Sequence, residues 1–481
     1  MKAPSTTGAV APATDDRPDP KPEITELIER ARNAMKAIEH YTQAETDELV
    51  MAIGWHVVKE CEALAELAVE EGGFGNYNDK ISKIRLRVTG TIRDMQDTKT
   101  VGIVEEDSDK ALVKIAKPVG VVAAIIPSTG PDATPPMKGL CAVKGKNAII
   151  VAAHPKTQKS SKLAVDLMRK GCKAMGVPED LIQIIEQPSI AKTKELMSQS
   201  DLIVATGGAE MVKSAYSSGT PAYGVGVGNT VHVIDETADL DDAAFTIAKA
   251  KTFDYATSCL ADNSVVAHEA IYASLVEKLV QQGAYICNAE EKARLQKVMW
   301  PKGGPLPSLD VIAKPPEHIA KLADISLPEG RTFLVVEETG TGPEYPFSGE
   351  KLSVVLTLYR YNNSIDEAVD LVNRITEYQG LGHSCGIHTK NNKHVDALAF
   401  GTRTGRVMVN QNMNEGAGSP RNGLPFTLSL SCGTWGGNIT TENVNCRHFV
   451  NLTWVSRVVP NPKKPPTDEE LFSEYWAKYG K

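Results

Sequence analysis

The chain has 481 residues, 42% apolar and 23% charged, enough for two or three domains of ordinary soluble composition. A net charge of −8 without a long basic run argues against nucleic acid as a partner. Eight scattered cysteines without a CxxC pair argue against a structural zinc site or disulfide framework and point to a reducing, cytoplasmic setting.

Residues 1–22, rich in Pro, Ala, Thr and Asp, read as a flexible tail. Ile24, Leu27, Ile28, Ala31, Met35 and Ile38 then follow helical spacing, which suits a helix packed on the main body or a docking helix. A second helix is expected after Thr46 as N-cap, ending at Gly72 and Gly73. At 111–126 the period becomes strand-like, and Pro118 and Gly120 divide the run into two pieces, one expected at a sheet edge.

From there strands and helices alternate. Strands are expected at 147–152, 181–185, 201–205 and 231–234, and helices at 160–175, 190–198, 211–216 and 240–251. This is the order of a doubly wound α/β domain. A second α/β domain is expected from Phe253, with strands near 264–267, 352–359, 384–388 and 407–410 and helices near 269–284, 289–299 and 365–377. A glycine-rich irregular stretch follows at 411–438, then a strand at 449–459 and a polar tail with a short aromatic helix. No apolar run approaches the roughly 20 residues that span a bilayer, so no membrane partner is expected.

The stretch FDYATSCLADNSVV, 253–266, sets Cys259 on a small, polar turn ahead of a strand. That position suits an exposed thiol nucleophile, and a buried structural cysteine is the alternative. ATGGAEMVKSAY places Thr206, Gly207 and Gly208 at a strand-to-helix turn, where backbone can approach a pyrophosphate or simply turn tightly. HPKTQKSS, after the 147–152 strand, offers Lys156 and Lys159 to a ligand or to solvent. In PAYGVGVGNT, Gly224, Gly226 and Gly228 alternate with valines, as close passage of backbone requires.

These segments, with IIPSTGP (125–131), GEKLS (349–353) and SCGTWGGNITTENV (431–444), resemble the aldehyde dehydrogenase superfamily over roughly residues 25–459. More narrowly they are similar to its CoA-acylating branch, including the aldehyde dehydrogenase half of bifunctional aldehyde/alcohol dehydrogenases. The resemblance implies an α/β aldehyde dehydrogenase fold. A flexible tail (1–22) precedes a Rossmann-like dinucleotide-binding domain (23–252), whose strands near 111–119 join an oligomerisation arm. A catalytic domain (253–446) and a C-terminal oligomerisation strand and tail (447–481) follow, in a homodimer or homotetramer. It assigns Cys259 as nucleophile, Glu350 to the nicotinamide ribose, His154 and Pro155 to the adenosine ribose, and Thr206, Gly207 and Gly208 to the pyrophosphate. Gly226 and Gly228 belong to the same cofactor set. Thr157 stands where NAD-preferring hydrolytic members often carry a glutamate, so NADP is expected, with Lys156 or Lys159 on its 2′-phosphate and NAD as the alternative.

Two departures from the family pattern carry information. Val225 stands 34 residues before Cys259, where hydrolytic members have the glutamate that activates water. The thioester then waits for CoA. Gly130 stands where acylating relatives have an oxyanion-binding Asn, leaving Ser128, Thr129 or Asn263, with the Cys259 N–H, as oxyanion donors. Gly130 also implies space beside the reacting carbon, and the loop NEGAGSPRNGLPF brings Ser419, Arg421 and Asn422 to the expected substrate entrance. Together they imply a short anionic aldehyde, sulfoacetaldehyde first and succinic semialdehyde second, with acetaldehyde as the simple alternative. A hydrolytic enzyme, a reductase of glutamyl phosphate and an inactive scaffold or filament subunit are the competing readings. No metal is expected.

Overall fold

A computed structural model describes residues 19–459 and 462–481. Most of the expected tail, residues 1–18, lies outside the described residues, and the first helix, Lys21–Ala37, already begins at Lys21. It buries Ile24, Ile28, Ala31 and Ala34, at the spacing of one helix face. The next helix, Gln43–Lys59, is capped at Thr42, four residues before the expected cap. Thr42 accepts from the Glu45 N–H and Glu45 returns the bond, so the TQAE run forms a capping box and Thr46 only bonds back to the Thr42 carbonyl. Helix Cys61–Gly72 follows and ends at Gly73, in the left-handed region at φ 63°.

Two helices of this region have no clear signature in sequence. Tyr77–Gln96, capped by Asn76, turns Lys80, Lys83 and Arg87 inward, which breaks the apolar period. Thr134–Lys144 is buried along its whole length, so it shows no polar face at all.

A five-stranded parallel sheet has the order Ile182–Ile184, Ala148–Ala152, Val121–Ile125, Leu202–Thr206, Ala222–Val225. Its strands Val121–Ile125 and Ala148–Ala152 are buried at every residue, as expected for a sheet covered on both faces. A seven-stranded parallel sheet has the order Ala284–Ile286, Phe333–Glu337, Val355–Tyr361, Ser264–His268, Val231–Ile234, Cys385–His388, Val407–Val409. Val231–Ile234 therefore belongs to the second sheet, and the chain changes sheets within residues 226–230, ahead of the division expected at Phe253.

The third sheet is antiparallel, with Leu112–Pro118 between Gly102–Asp107 and Val450–Ser456. The edge position expected for one of the pieces around Pro118 is thus corrected: both are central strands of their sheets. Pro118 closes its strand, where the missing N–H interrupts little of the ladder. Leu452 and Trp454 stand exposed on the strand Val450–Ser456. No helix among the described residues is long and apolar enough to cross a membrane.

Candidate active site

The C-terminal ends of four strands of the five-stranded sheet open onto one cavity of about 450 Å³. Open α/β sheets bind ligands at this end. The 225–228 crossing, the Cys259 turn and Glu350 close its other side.

The Cys259 turn is strained and braced. Asp254, Tyr255 and Ala256 all have positive φ, at 50°, 49° and 61°. Each such residue costs about 1–3 kcal/mol, which surrounding bonds must offset. The Asp254 carboxylate accepts from the Asn76 N–H (2.9 Å), Lys80 Nζ (3.2 Å), Lys83 Nζ (2.8 Å) and Thr257 Oγ1 (2.8 Å). Its own N–H donates to Asp79 (2.8 Å). The helix with no sequence signature thus holds the turn that carries Cys259.

Seven of the eight cysteines are buried, and Cys259 alone is half-buried, at the cavity. Val225, Leu260, Ala417 and Leu430 pack around it, so the wall at Val225 carries methyl groups and no carboxylate. Burial, then the Glu350 charge and Cys432, push the Cys259 thiol up to about 12, while Arg406 and the Cys259 N–H act oppositely. His383 Nε2 lies 3.2 Å from its Sγ. Burial, with Arg406 nearby, pushes His383 down to about 3, so the resting pair is a neutral imidazole and a thiol. His383 escaped the sequence reading. Its only signal is a histidine within LGHSC, directly ahead of a buried strand.

Glu350 Oε1 accepts from the Gly228 N–H at 3.0 Å, and burial pushes its carboxyl up to about 8. A Cβ on Gly228 would stand 2.3 Å from the Cys259 carbonyl oxygen and 2.8 Å from Glu350 Oε1. Close passage therefore requires glycine at that position.

Of the expected cofactor residues, His154, Pro155, Thr206, Gly207, Gly208, Gly226, Gly228 and Glu350 line the cavity. They fit a dinucleotide: Gly208 caps the helix Ala209–Tyr216, the Thr206 hydroxyl is buried without a partner, and space beside Gly208 is open. Lys156 lies at the rim, its Nζ 3.9 Å from the ring centroid of Phe74, which lines the cavity. Lys159 is exposed outside the lining, its N–H bonded to Glu71. Thr157 is fully buried outside the lining, its methyl near Gly72 and its hydroxyl without a partner.

Ser128 and Thr129 line the cavity as expected of oxyanion candidates. Asn263 does not. Its side chain donates to the Ala261 carbonyl and accepts from the Lys351 N–H, which ties the loop together. Gly130 lines the cavity, but a Cβ there would stand 2.7 Å from Thr134 Oγ1, so the space expected beside it is largely filled.

The substrate loop is also corrected. Ser419, Arg421 and Asn422 lie outside this cavity. Arg421 is 63% exposed and faces Glu415 at 3.6 Å. Ser419 accepts from the Arg421 N–H, and Asn422 donates to Gln411 and to the Glu415 carbonyl, so the loop's polar groups satisfy one another. The cations that do line the cavity are Lys83 and Arg87. With Lys80 they form a basic i, i+3, i+7 row on the inward face of the helix Tyr77–Gln96.

Residues 4–292 match the sequence profile of the aldehyde dehydrogenase family. The chain is 47% identical to a sulfoacetaldehyde dehydrogenase of Acholeplasma sp, over 94% of each chain. It is 43% identical to the acylating sulfoacetaldehyde dehydrogenase of Bilophila wadsworthia, over 95% of this chain and 99% of the other. The fold matches an acetylating aldehyde dehydrogenase from Geobacillus thermoglucosidasius with TM-score 0.88 at 39% identity, over 93% of this chain and 98% of that one. It also matches a Rhodopseudomonas palustris propionaldehyde dehydrogenase with bound CoA and an acylated cysteine, with TM-score 0.82 at 25% identity, over 90% and 97% of the chains.

Proposed function

The chain belongs to the aldehyde dehydrogenase family, and on that premise we propose that it converts a short anionic aldehyde, sulfoacetaldehyde first, to its acyl-CoA through a Cys259 thioester. Cys259 Sγ adds to the aldehyde carbon, and His383 Nε2 takes the thiol proton. The alkoxide of the resulting thiohemiacetal lies against the Cys259 N–H, Ser128 and Thr129. A dinucleotide held by Glu350 and the Thr206–Gly208 turn would supply the hydride acceptor there. With the thiol proton on His383, loss of hydride from that alkoxide carbon leaves the thioester on Cys259. The CoA thiol then attacks the carbonyl, and Cys259 leaves as thiolate and recovers a proton.

The observation that carries the acylating reading is the apolar wall at Val225. Val225 packs with Leu260, Ala417 and Leu430 around Cys259 and offers no base to a water molecule. Without CoA, we expect a burst of one NAD(P)H per site followed by slow turnover. CoA should raise steady turnover by about 100-fold. Val225→Glu should raise the CoA-independent rate. Equal steady rates with and without CoA in the wild type would overturn the reading.

The relatives' names support sulfoacetaldehyde, and succinic semialdehyde remains the second anionic candidate. NADP is the proposed dinucleotide, with Lys156 at the cavity rim as the cation for its 2′-phosphate. Lys156→Ala should raise KM for NADP by about 10-fold and change KM for NAD far less. Equal changes would remove Lys156 from the phosphate site. The exposed Leu452 and Trp454 support a role for the arm in a homodimer or homotetramer.

A further inference from the structure

Arg87 is a buried cation whose partners leave its charge unmatched. It is 8% exposed, projects from the helix Tyr77–Gln96 and lines the cavity that contains Cys259. Nη1 donates to the carbonyls of Ala417 (2.7 Å) and Gly418 (2.9 Å), and Nη2 to that of Asn414 (3.1 Å). No carboxylate among the described residues lies within ion-pair distance of it. Nε–H and one Nη2 proton remain without a protein acceptor among those residues.

The neighbouring cation shows the contrast. Lys83, one turn earlier, sits 2.8 Å from both Asp132 and Asp254. Its charge is spent inside the protein on bracing the Cys259 turn. Arg406, also buried near the site, uses all its nitrogens on Asn443, Ser384 and the carbonyls around His383. Arg87 alone combines a cavity position, an unmatched charge and spare donors. Burial lowers its pKa to about 10, a shift that the neighbouring Cys259 and Glu415 oppose. A guanidinium held in a closed site at such desolvation cost favours an incoming anion.

We propose that Arg87 is the receptor for the anionic head group of the aldehyde, docking a sulfonate or carboxylate on its free donors while the carbonyl carbon lies against Cys259. The paired oxygens of either group suit two donors of one planar guanidinium. This inference rests on the reading of the cavity as an aldehyde site and replaces the role expected of Arg421. The carbonyl bonds to 414–418 hold the guanidinium in place before substrate arrives, which lowers the cost of binding.

The test compares kcat/KM for sulfoacetaldehyde and acetaldehyde in the wild type, Arg87→Met and Arg87→Lys. In Arg87→Met the ratio should fall about 100-fold, with Arg87→Lys intermediate. If both substrates lose the same factor, Arg87 only clamps the 414–418 loop and the proposal is wrong. A second measurement is independent of turnover: methanesulfonate should protect wild-type Cys259 from iodoacetamide and fail to protect the Met variant. If wild type prefers acetaldehyde yet is protected, the anion site stands and the sulfoacetaldehyde reading falls. Absence of protection in wild type overturns the anion site itself. If Arg87→Met does not fold, wild-type protection and Arg87→Lys decide.

Discussion

Cys259→Ala is expected to remove aldehyde-dependent NAD(P)H formation, with a loss of at least about 10⁴-fold, while dinucleotide binding persists. The size follows from the role. Both hydride loss and attack by CoA require the substrate carbon to be bonded first to Sγ, and the alanine methyl has no lone pair to offer. The fold should tolerate the change, because Asp254 and its four donors hold the turn rather than the cysteine side chain. Thermal unfolding should therefore shift little, and NADP titration monitored by protein fluorescence should give an unchanged affinity. Iodoacetamide provides the parallel check. One alkylated cysteine with full loss of activity should map to Cys259, since the other seven are buried. Loss of activity with a different cysteine labelled would remove Cys259 from the mechanism.

The sequence revealed the parts of this site that are local and glycine-rich. The turn at Cys259, the Thr206–Gly208 turn and the alternating glycines before Asn229 each carry a backbone constraint that few residues can meet. What it concealed depends on tertiary contact. His383 lies 124 residues from Cys259 and reaches it because Cys385–His388 pairs with Val231–Ile234, which in turn pairs with Ser264–His268. No local pattern records that path. The helix Tyr77–Gln96 stayed hidden because its inward face is cationic, and an inward cation reads as a polar face. The same fact hid Arg87. Arg421 misled for the converse reason. Its loop has donors in number, but the folded loop spends them on itself, and the arginine turns to solvent beside Glu415. Donor count in a sequence does not distinguish a receptor from a self-satisfied turn.

His383→Gln is expected to lower kcat/KM by about 10²–10⁴-fold at neutral pH. Between about 3 and about 12 the resting pair is a neutral imidazole beside a thiol, so attack on the aldehyde requires the S–H proton to move. The imidazole at 3.2 Å is placed to take it. Glutamine preserves polarity and approximate size but accepts a proton poorly. In the variant, Cys259 must ionise to solvent before it attacks. Because its pKa is raised, the thiolate fraction rises with pH across the whole experimental range and loses a factor of ten for each unit below. The variant's log kcat/KM should therefore climb with a slope near one from pH 6 to pH 9. The wild type, with its base neutral throughout that range, should show a shallower profile. A purely structural histidine would lower activity without steepening the pH dependence. The measurement is the pair of pH profiles, with iodoacetamide alkylation of Cys259 followed over the same range. If His383→Gln keeps the wild-type slope and loses less than about threefold, His383 is not the base for Cys259.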